Sequence, residues 1–253
     1  MIQLHTIIDY LDTLLDTASY SDASLNGLQV EAKNHELKRI AFAVDAGLSV
    51  IESAIKNKAD LLVVHHGIFW NKLNPIKGVL REKIYALLSS GCSLYASHLP
   101  LDAHPEVGNN YTLGKILGLS KLQPFLDFNG KFIACSGSLD KPVTLNYFTE
   151  RLATLDGAID PLILDFGNDQ VSKVAVVTGS GSIAIEEVYK QNLDLLISGE
   201  PKHEAYHAAK ELGVNAIFAG HYATETVGPK ALMNKLAEDL KIDTIFIHEG
   251  TGI

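Results

Sequence analysis

The chain has 253 residues, 47% of them hydrophobic, and a formal net charge of −9. That length carries a buried core in one large domain or two small ones. An acidic balance with no basic stripe argues against nucleic acid held through phosphate neutralisation. The two cysteines, Cys92 and Cys135, lie in apolar runs with no CxxC spacing, which reads as two buried thiols in a reducing compartment. No stretch approaches the roughly 18 uncharged residues of a membrane span, and the first ten residues lack a basic segment followed by an apolar block. A soluble, cytoplasmic protein with no membrane contact is expected.

Thr6-Ile7-Ile8-Asp9 reads as a capped helix start, after which Ile7, Ile8, Leu11, Leu14 and Leu15 repeat with helical spacing. Asn26-Gly27 is a turn signal. A βαβ unit follows: strand Arg39 to Asp45, helix Leu48 to Lys58 with Ile51, Ala54 and Ile55 facing inward, and strand Leu61 to His66. The last of these is a wholly apolar run ending in two histidines and Gly67, the pattern of a central parallel strand whose carboxyl end leaves the sheet. Strand neighbours point to opposite faces, so the two imidazoles share a site only where the backbone turns, and Gly67 permits a turn. Phe69 and the single tryptophan, Trp70, occupy the loop beyond. A helix from about Leu80 to Ser89 leads to strand Cys92 to His98. The segment Leu99 to Pro105 holds two prolines and is expected to be loop. Asn109 to Leu117 is a plausible helix.

The stretch from Gln123 to about Asn168 differs, with a strand-like Lys131 to Ser138, a helix-like Thr144 to Leu155 and an apolar Pro161 to Leu164. It holds no ligand cluster and reads as a small α+β module. The earlier pattern then returns. A shift of 134 positions lays Arg39–His66 on Lys173–Glu200 without a gap, matching Ala41, Gly47, Ile51, Glu52, Lys56, Asp60, Leu61 and Leu62 to identical residues. The inner helix face repeats as Ile185, Val188 and Tyr189. A shift of 123 lays Cys92–His98 on Asn215–His221 and puts Glu225 on Asp102. Gapless agreement that includes polar positions argues for duplication. The expected fold is α/β, with duplicated βαβ-containing halves related by a pseudo-two-fold axis, strand ends facing a shared metal cleft, and the inserted module. The boundaries follow as residues 1–122, 123–170 and 171–253, the outer two forming one core.

The polar residues at these strand ends are His65, His66, His98 and Asp102 in the first half and Glu200, His221 and Glu225 in the second. Imidazole mixed with carboxylate suits Zn, Fe, Mn or Ni rather than Ca or an iron–sulfur cluster. His221 and Glu225, four apart, converge if a helix begins near Thr224. Five or more ligands exceed the need of one zinc, and two divalent ions fit the count better, a pair that lowers the pKa of a bound water and polarises the atom under attack. Each residue also has a plainer reading. His98 is as well explained by a hydrogen bond behind a ligand, and Glu200 before Pro201 by a helix cap. His104 reads as a loop residue, and His203 and His207 as a solvated helix face. Phe69 and Trp70 divide about evenly between packing and stacking against a substrate. Thr178-Gly179-Ser180-Gly181-Ser182 resembles a phosphate loop but lacks the third spaced glycine and the Lys-Ser/Thr pair, so it reads as a tight βα turn.

Taken together, Asn26 to Glu31, Val64 to Trp70, His98 to His104, Ser198-Gly199-Glu200 and Ala219 to Glu225 resemble the signatures of one family over nearly the whole chain. It is the Ngg-interacting-factor-like family of dinuclear metal proteins, often labelled GTP cyclohydrolase 1 type 2 homologues. The resemblance implies metal ligands at His65, His66, Asp102, His221 and Glu225. Glu225 would bridge two ions, with His66 and Asp102 on one and His65 and His221 on the other, and His98 would lie nearby. It also implies a homohexamer built as a trimer of dimers. The chain departs from the family at its end, where Phe246 to Ile253 replaces an Asp-x-Pro-Asn-Pro type of tail.

Two functions are weighed. One is a dinuclear-metal-dependent hydrolase acting on a small molecule such as GTP or another nucleotide, opening a purine ring or a related C–N bond, with His98 or Glu200 moving the proton. The alternative is a non-enzymatic metal-binding or adaptor protein in which the metal pair stabilises the fold or the oligomer.

Overall fold

Strand-forming runs of Val, Ile, Leu and Ala alternate with amphipathic helices along the chain, and the computed structural model, which describes residues 1–72 and 74–253, turns that alternation into an α/β fold. In order come β1 (Ile2–Gln3), α1 (Leu4–Leu15), β2 (Gly27–Val30), β3 (Glu36–Leu37), β4 (Arg39–Asp45), α2 (Leu48–Lys56), β5 (Leu61–His66), α3 (Gly78–Ser90), β6 (Ser93–Ala96) and α4 (Leu99–Ala103). There follow α5 (Asn109–Ile116), β7 (Ser120–Phe128), β8 (Lys131–Val143), α6 (Leu145–Leu152), β9 (Leu162–Asp165), β10 (Val171–Val177), α7 (Ile185–Lys190) and β11 (Leu195–Ser198). The chain closes with α8 (Ala205–Leu212), β12 (Asn215–Phe218), α9 (His221–Glu225), α10 (Val227–Leu240) and β13 (Asp243–Phe246). Two compact units emerge, one of Met1–Leu101 with Pro229–Glu249, the other of Asp102–Gly228 with Gly250–Ile253.

The first unit is organised on a five-stranded sheet in the order β13-β4-β5-β6-β2. The β13, β4, β5 and β6 strands run parallel, and β2 closes one edge antiparallel. Burial on both faces explains the unbroken apolar runs. Ala41, Ala43, Leu62, Val64, Leu94 and Ala96 share one cluster with Val50, Ile51 and Ala54 of α2. Their neighbours Ile40, Phe42, Leu61, Val63 and Tyr95 are equally buried. Helix α1 begins two residues before the expected cap, because Ile2 and Gln3 pair with Leu37 and Glu36 and the Leu4 amide donates to the His35 carbonyl at 2.8 Å. Helix α2 ends at Lys56, and Lys58 then adopts a left-handed φ of 59°. Helix α3 stops at Gly91, whose φ of 82° lets its amide reach the Leu87 carbonyl.

The second unit is built on a six-stranded sheet, β7-β8-β10-β11-β12-β9. Strands β10, β11 and β12 are parallel, with β8 and β9 antiparallel on either flank. The strands of the 123–170 segment therefore hydrogen-bond into the same sheet as the strands that follow it. Alternate residues feed two cores, Val174, Val176, Leu195, Ile197 and Ile217 on one face and Ala175, Val177, Leu196, Ala216 and Phe218 on the other. Of the expected inner face of α7, Ile185 and Val188 are buried, but Tyr189 is exposed.

One expectation is overturned at α4. Leu99 to Ala103 is a short helix and not a loop, since Pro100 falls in its first turn, where no amide is needed, and Pro105 lies beyond its end. Among the described residues no helix is long and apolar enough to cross a membrane. Both cysteines are free and buried. Burial above all pushes each thiol up to about 12. A raised thiol pKa removes the thiolate, the reactive species. A thiol-disulfide exchange reagent at pH 8 should therefore label neither cysteine in the folded protein and both after denaturation.

Candidate metal centre

Three imidazoles gather at the carboxyl ends of β5 and β6 in the first unit. His65 is fully buried, and His66 and His98 are half-buried. Their ring centroids lie 4.5 Å (His65–His66), 5.2 Å (His65–His98) and 5.7 Å (His66–His98) apart. One nitrogen from each falls within 4.8 Å of the others.

The fold supplies an oxygen for Nδ1 of every ring. His65 Nδ1 lies 2.9 Å from the Ser97 carbonyl, where the Ser97 amide continues the parallel ladder to Val64. His66 Nδ1 lies 2.8 Å from Asp45 Oδ1, on its ladder partner in β4. His98 Nδ1 lies 2.9 Å from Asp22 Oδ1. A carbonyl or carboxylate can only accept, so the Nδ1 atoms carry the protons and the lone pair of each neutral ring sits on Nε2. Carbonyl or carboxylate behind Nδ1 is the support that metal-binding histidines take.

Gly67 serves a different purpose from the one expected. Its φ is not positive, and what excludes a side chain is Gln29, whose amide a Cβ would strike. Gln29 Oε1 accepts the Ile68 amide at 2.8 Å and so fixes the chain just past the histidines. Asn26-Gly27 is likewise more than a turn. Asn26 Oδ1 accepts the His98 amide at 2.8 Å, and its Nδ2 donates to Asp22 at 2.9 Å. Trp70 closes the cluster, with its ring 5.2 Å from His98, nearly edge-on, and 6.0 Å from His66.

The second unit gathers carboxylates. His221 and Glu225 are the first and last residues of α9, which starts three residues earlier than expected and still places them one turn apart. His221 Nε2 is 3.0 Å from Glu225 Oε2 and its Nδ1 is 3.2 Å from Glu200 Oε1. Burial works against a charged ring, but the hydrogen bonds and charges of Glu225 and Glu200 outweigh it and raise the His221 pKa to about 9. Asp102 is buried, accepting from Asn109 Nδ2 at 2.9 Å and Thr178 Oγ1 at 3.2 Å. Carboxylate oxygens of Asp102 and Glu225 lie within 4.8 Å of each other. Two buried carboxylates this close favour a cation beside them, so the donors present fit a divalent metal.

Gly179 has a φ of 62°, and a Cβ there would collide with Glu225 Oε1. Its amide donates to Thr224 Oγ1 and the Gly181 amide to Ser198 Oγ. Those two amides are thus committed to the protein, in keeping with a tight βα turn and not a phosphate loop. His104 Nδ1 accepts the amides of Glu106 and Val107, a loop role, and His203 and His207 are exposed. The sequence reading missed Asp22, Asp45, Asn109 and Thr178. Asp45, at the end of an apolar strand, and Thr178, opening a Gly-rich turn, carry a visible signal.

The chain matches the family model described as Duf34/NIF3 (NGG1p interacting factor 3) over residues 2–251. It is 46% identical to a protein of Pyrococcus horikoshii named GTP cyclohydrolase 1 type 2 homolog, covering 98% of each chain. A protein of the same name in Archaeoglobus fulgidus is 41% identical over 100% of both. Among solved structures, TTHA1606 from Thermus thermophilus is similar with a TM-score of 0.91 at 38% identity, each chain fully covered. Reduced HcgD from Methanocaldococcus jannaschii is similar with a TM-score of 0.84 at 26% identity over 98% of each.

Asp22 generates a prediction. Its side chain is 1% exposed and accepts from His98, Asn26 and the amides of Ser24 and Leu99. Burial opposes ionisation, but the His98 hydrogen bond and charge, with those of Asn26 and Leu99, hold the carboxyl well below its ordinary 3.8. Replacing it by asparagine should lower stability at pH 7 by about 2 kcal/mol, the scale of hydrogen bonds to a charged group. A depressed carboxyl pKa stabilises above the unfolded value and loses that effect as pH falls through the folded one. Urea titrations of both proteins should thus show a full gap at neutral pH that narrows below 3.8.

Proposed function

Because the chain belongs to the Duf34/NIF3 (NGG1p interacting factor 3) family, we propose that it is a dinuclear-metal-dependent hydrolase that opens a purine-nucleotide ring or a related C–N bond. The observation that carries this reading is the oxygen behind Nδ1 of His65 and His66, which turns Nε2 of both rings toward a metal, with His98 held in the same way beside them. The proposed ligands are His65, His66, Asp102, His221 and Glu225. Divalent ions, when bound, lower the pKa of water toward neutrality and polarise an electrophilic centre.

The chain's own residues then have separate duties. Asp45 and the Ser97 carbonyl keep the Nδ1 protons of His66 and His65 in place and set the planes of the rings. Asn109 and Thr178 hold one oxygen of Asp102 and orient that carboxylate. Asp22 fixes the Nδ1 proton of His98, so a proton passing to or from the substrate would do so at Nε2. Glu200, against His221 Nδ1, is the second proton carrier in this reading. The name shared by the Pyrococcus and Archaeoglobus relatives makes GTP the first substrate to try.

Elemental analysis of purified protein should find about two divalent ions per chain, and His66→Ala and Glu225→Ala should each lose metal. Metal-replete wild type should turn over GTP or a member of a panel of cyclic amides, amidines and phosphoesters. Protein that takes up no metal on reconstitution would remove the site. Protein that holds its metal yet turns over nothing would remove the hydrolase.

A further inference from the structure

We propose that a cavity of about 460 Å³ in the first unit is the recognition subsite of this centre, taking a substrate with a flat unsaturated ring and an anionic substituent. The inference rests on the metal-centre reading, because it assigns the cavity's ligand to that chemistry.

The cavity is lined by Trp70, Ile68, Val79 and Leu80 together with Lys77 and Lys83. Its size is that of a small-molecule pocket. Trp70 is also the side chain that touches His98 and His66, so one residue belongs to both the cavity and the histidine cluster. Its indole nitrogen donates to the Gly67 carbonyl at 3.1 Å, and an isolated bridge pairs it with Ser24. The ring is thereby held as a fixed platform, against which a flat ligand gains contact with little loss of entropy.

The charge of the lining is unusual for so acidic a chain. Among the described residues its only charged ones are the two lysines. Neither makes a salt bridge or a side-chain hydrogen bond among the described residues. Lys83 is half-buried, and burial lowers its pKa against the attraction of Asp45, the carboxylate that holds His66. A partly desolvated ammonium without a direct partner gains most from an anion brought to it. Asp22, which lines a neighbouring cavity with Trp70, is committed to His98 and disfavours an anion there. The anionic group therefore goes to Lys77 and Lys83 and the ring to Trp70.

Trp70 is the single tryptophan of the chain and lines this cavity, a neighbouring one and the histidine cluster, so its emission detects a ligand at any of them and the lysine variants assign it to this one. Metal-loaded protein is titrated with phenylphosphonate, with inorganic phosphate as the bare anion and benzyl alcohol as the neutral ring. Phenylphosphonate should change the emission saturably and bind more tightly than either comparator. The double variant Lys77→Gln/Lys83→Gln should weaken it by about tenfold or more, the loss expected for charged hydrogen bonds. Lys72→Gln, outside this cavity, should stay within about twofold. No saturable change in wild type, or equal affinity in the double variant, overturns the inference, and the latter would place the phosphonate on the metal instead. Phosphate binding as tightly as phenylphosphonate overturns the role of the Trp70 platform. Elemental analysis of the same samples separates the two readings. Lysine-dependent binding to protein that holds no metal would sink the metal centre and leave an anion site, whereas full metal without lysine dependence would do the reverse.

Discussion

Taking an imidazole out of water is costly unless each ring nitrogen meets a partner, and the first unit meets that requirement for Nδ1 with oxygens that the sheet itself supplies. The Ser97 carbonyl is next in the parallel ladder, and Asp45 is the ladder partner of His66. The register that packs Phe42, Val63 and Tyr95 is thus the register that sets the tautomer of the histidines. A slip of one residue in β5 would invert its core face and remove the support of both rings together. Packing and chemistry are not separable here, since the same parallel strands perform both.

The same economy explains which features were legible in the sequence. The strands over 39–45 and 61–66 were readable because burial on both faces leaves no polar interruption until the ends. The match of Asp60 to Asp194 was readable and has a physical cause. Asp60 accepts the amides of Lys38 and Arg39, at 2.6 and 3.1 Å, where β4 begins. Asp194 accepts those of Ser172 and Lys173, at 2.9 and 2.8 Å, at the corresponding point of β10. An aspartate just before one strand ties down the amides that open its parallel neighbour. The task needs that side chain at that position, so a polar match across 134 positions carried structural meaning.

What stayed hidden depended on long-range partners. Asp22 lies 76 residues from His98 in a segment of Ser and Asp that resembles any surface turn. Gly67 reads as conformational freedom in the sequence, whereas the structure requires it for the space Gln29 occupies, a reason no local pattern displays. The prolines of the 99–105 segment suggest loop, although a proline in the first turn of a helix is compatible with it. For Asp22 and Gly67 residue type is informative and only the partner is lacking, whereas at α4 what is lacking is where the helix begins.

Charge links the centre to the chemistry of its ligand. The carboxylates at the proposed ligands or directly behind them are Asp45, Asp102, Glu200 and Glu225. Their combined charge would offset the two divalent ions of the proposed function. Such a centre polarises strongly at short range, where the ion is the nearest charge, but offers little surplus attraction farther out, where the carboxylates are felt as well. An anionic group remote from the reacting atom would gain little from the metals and needs cations of its own. In a chain with a net charge of −9, two lysines that share a cavity with the tryptophan of the histidine cluster, and have no carboxylate at ion-pair distance among the described residues, meet that need. Under the proposed function, separating the charge that binds from the charge that reacts would leave the ions free to act on the transition state, where differential stabilisation raises the rate.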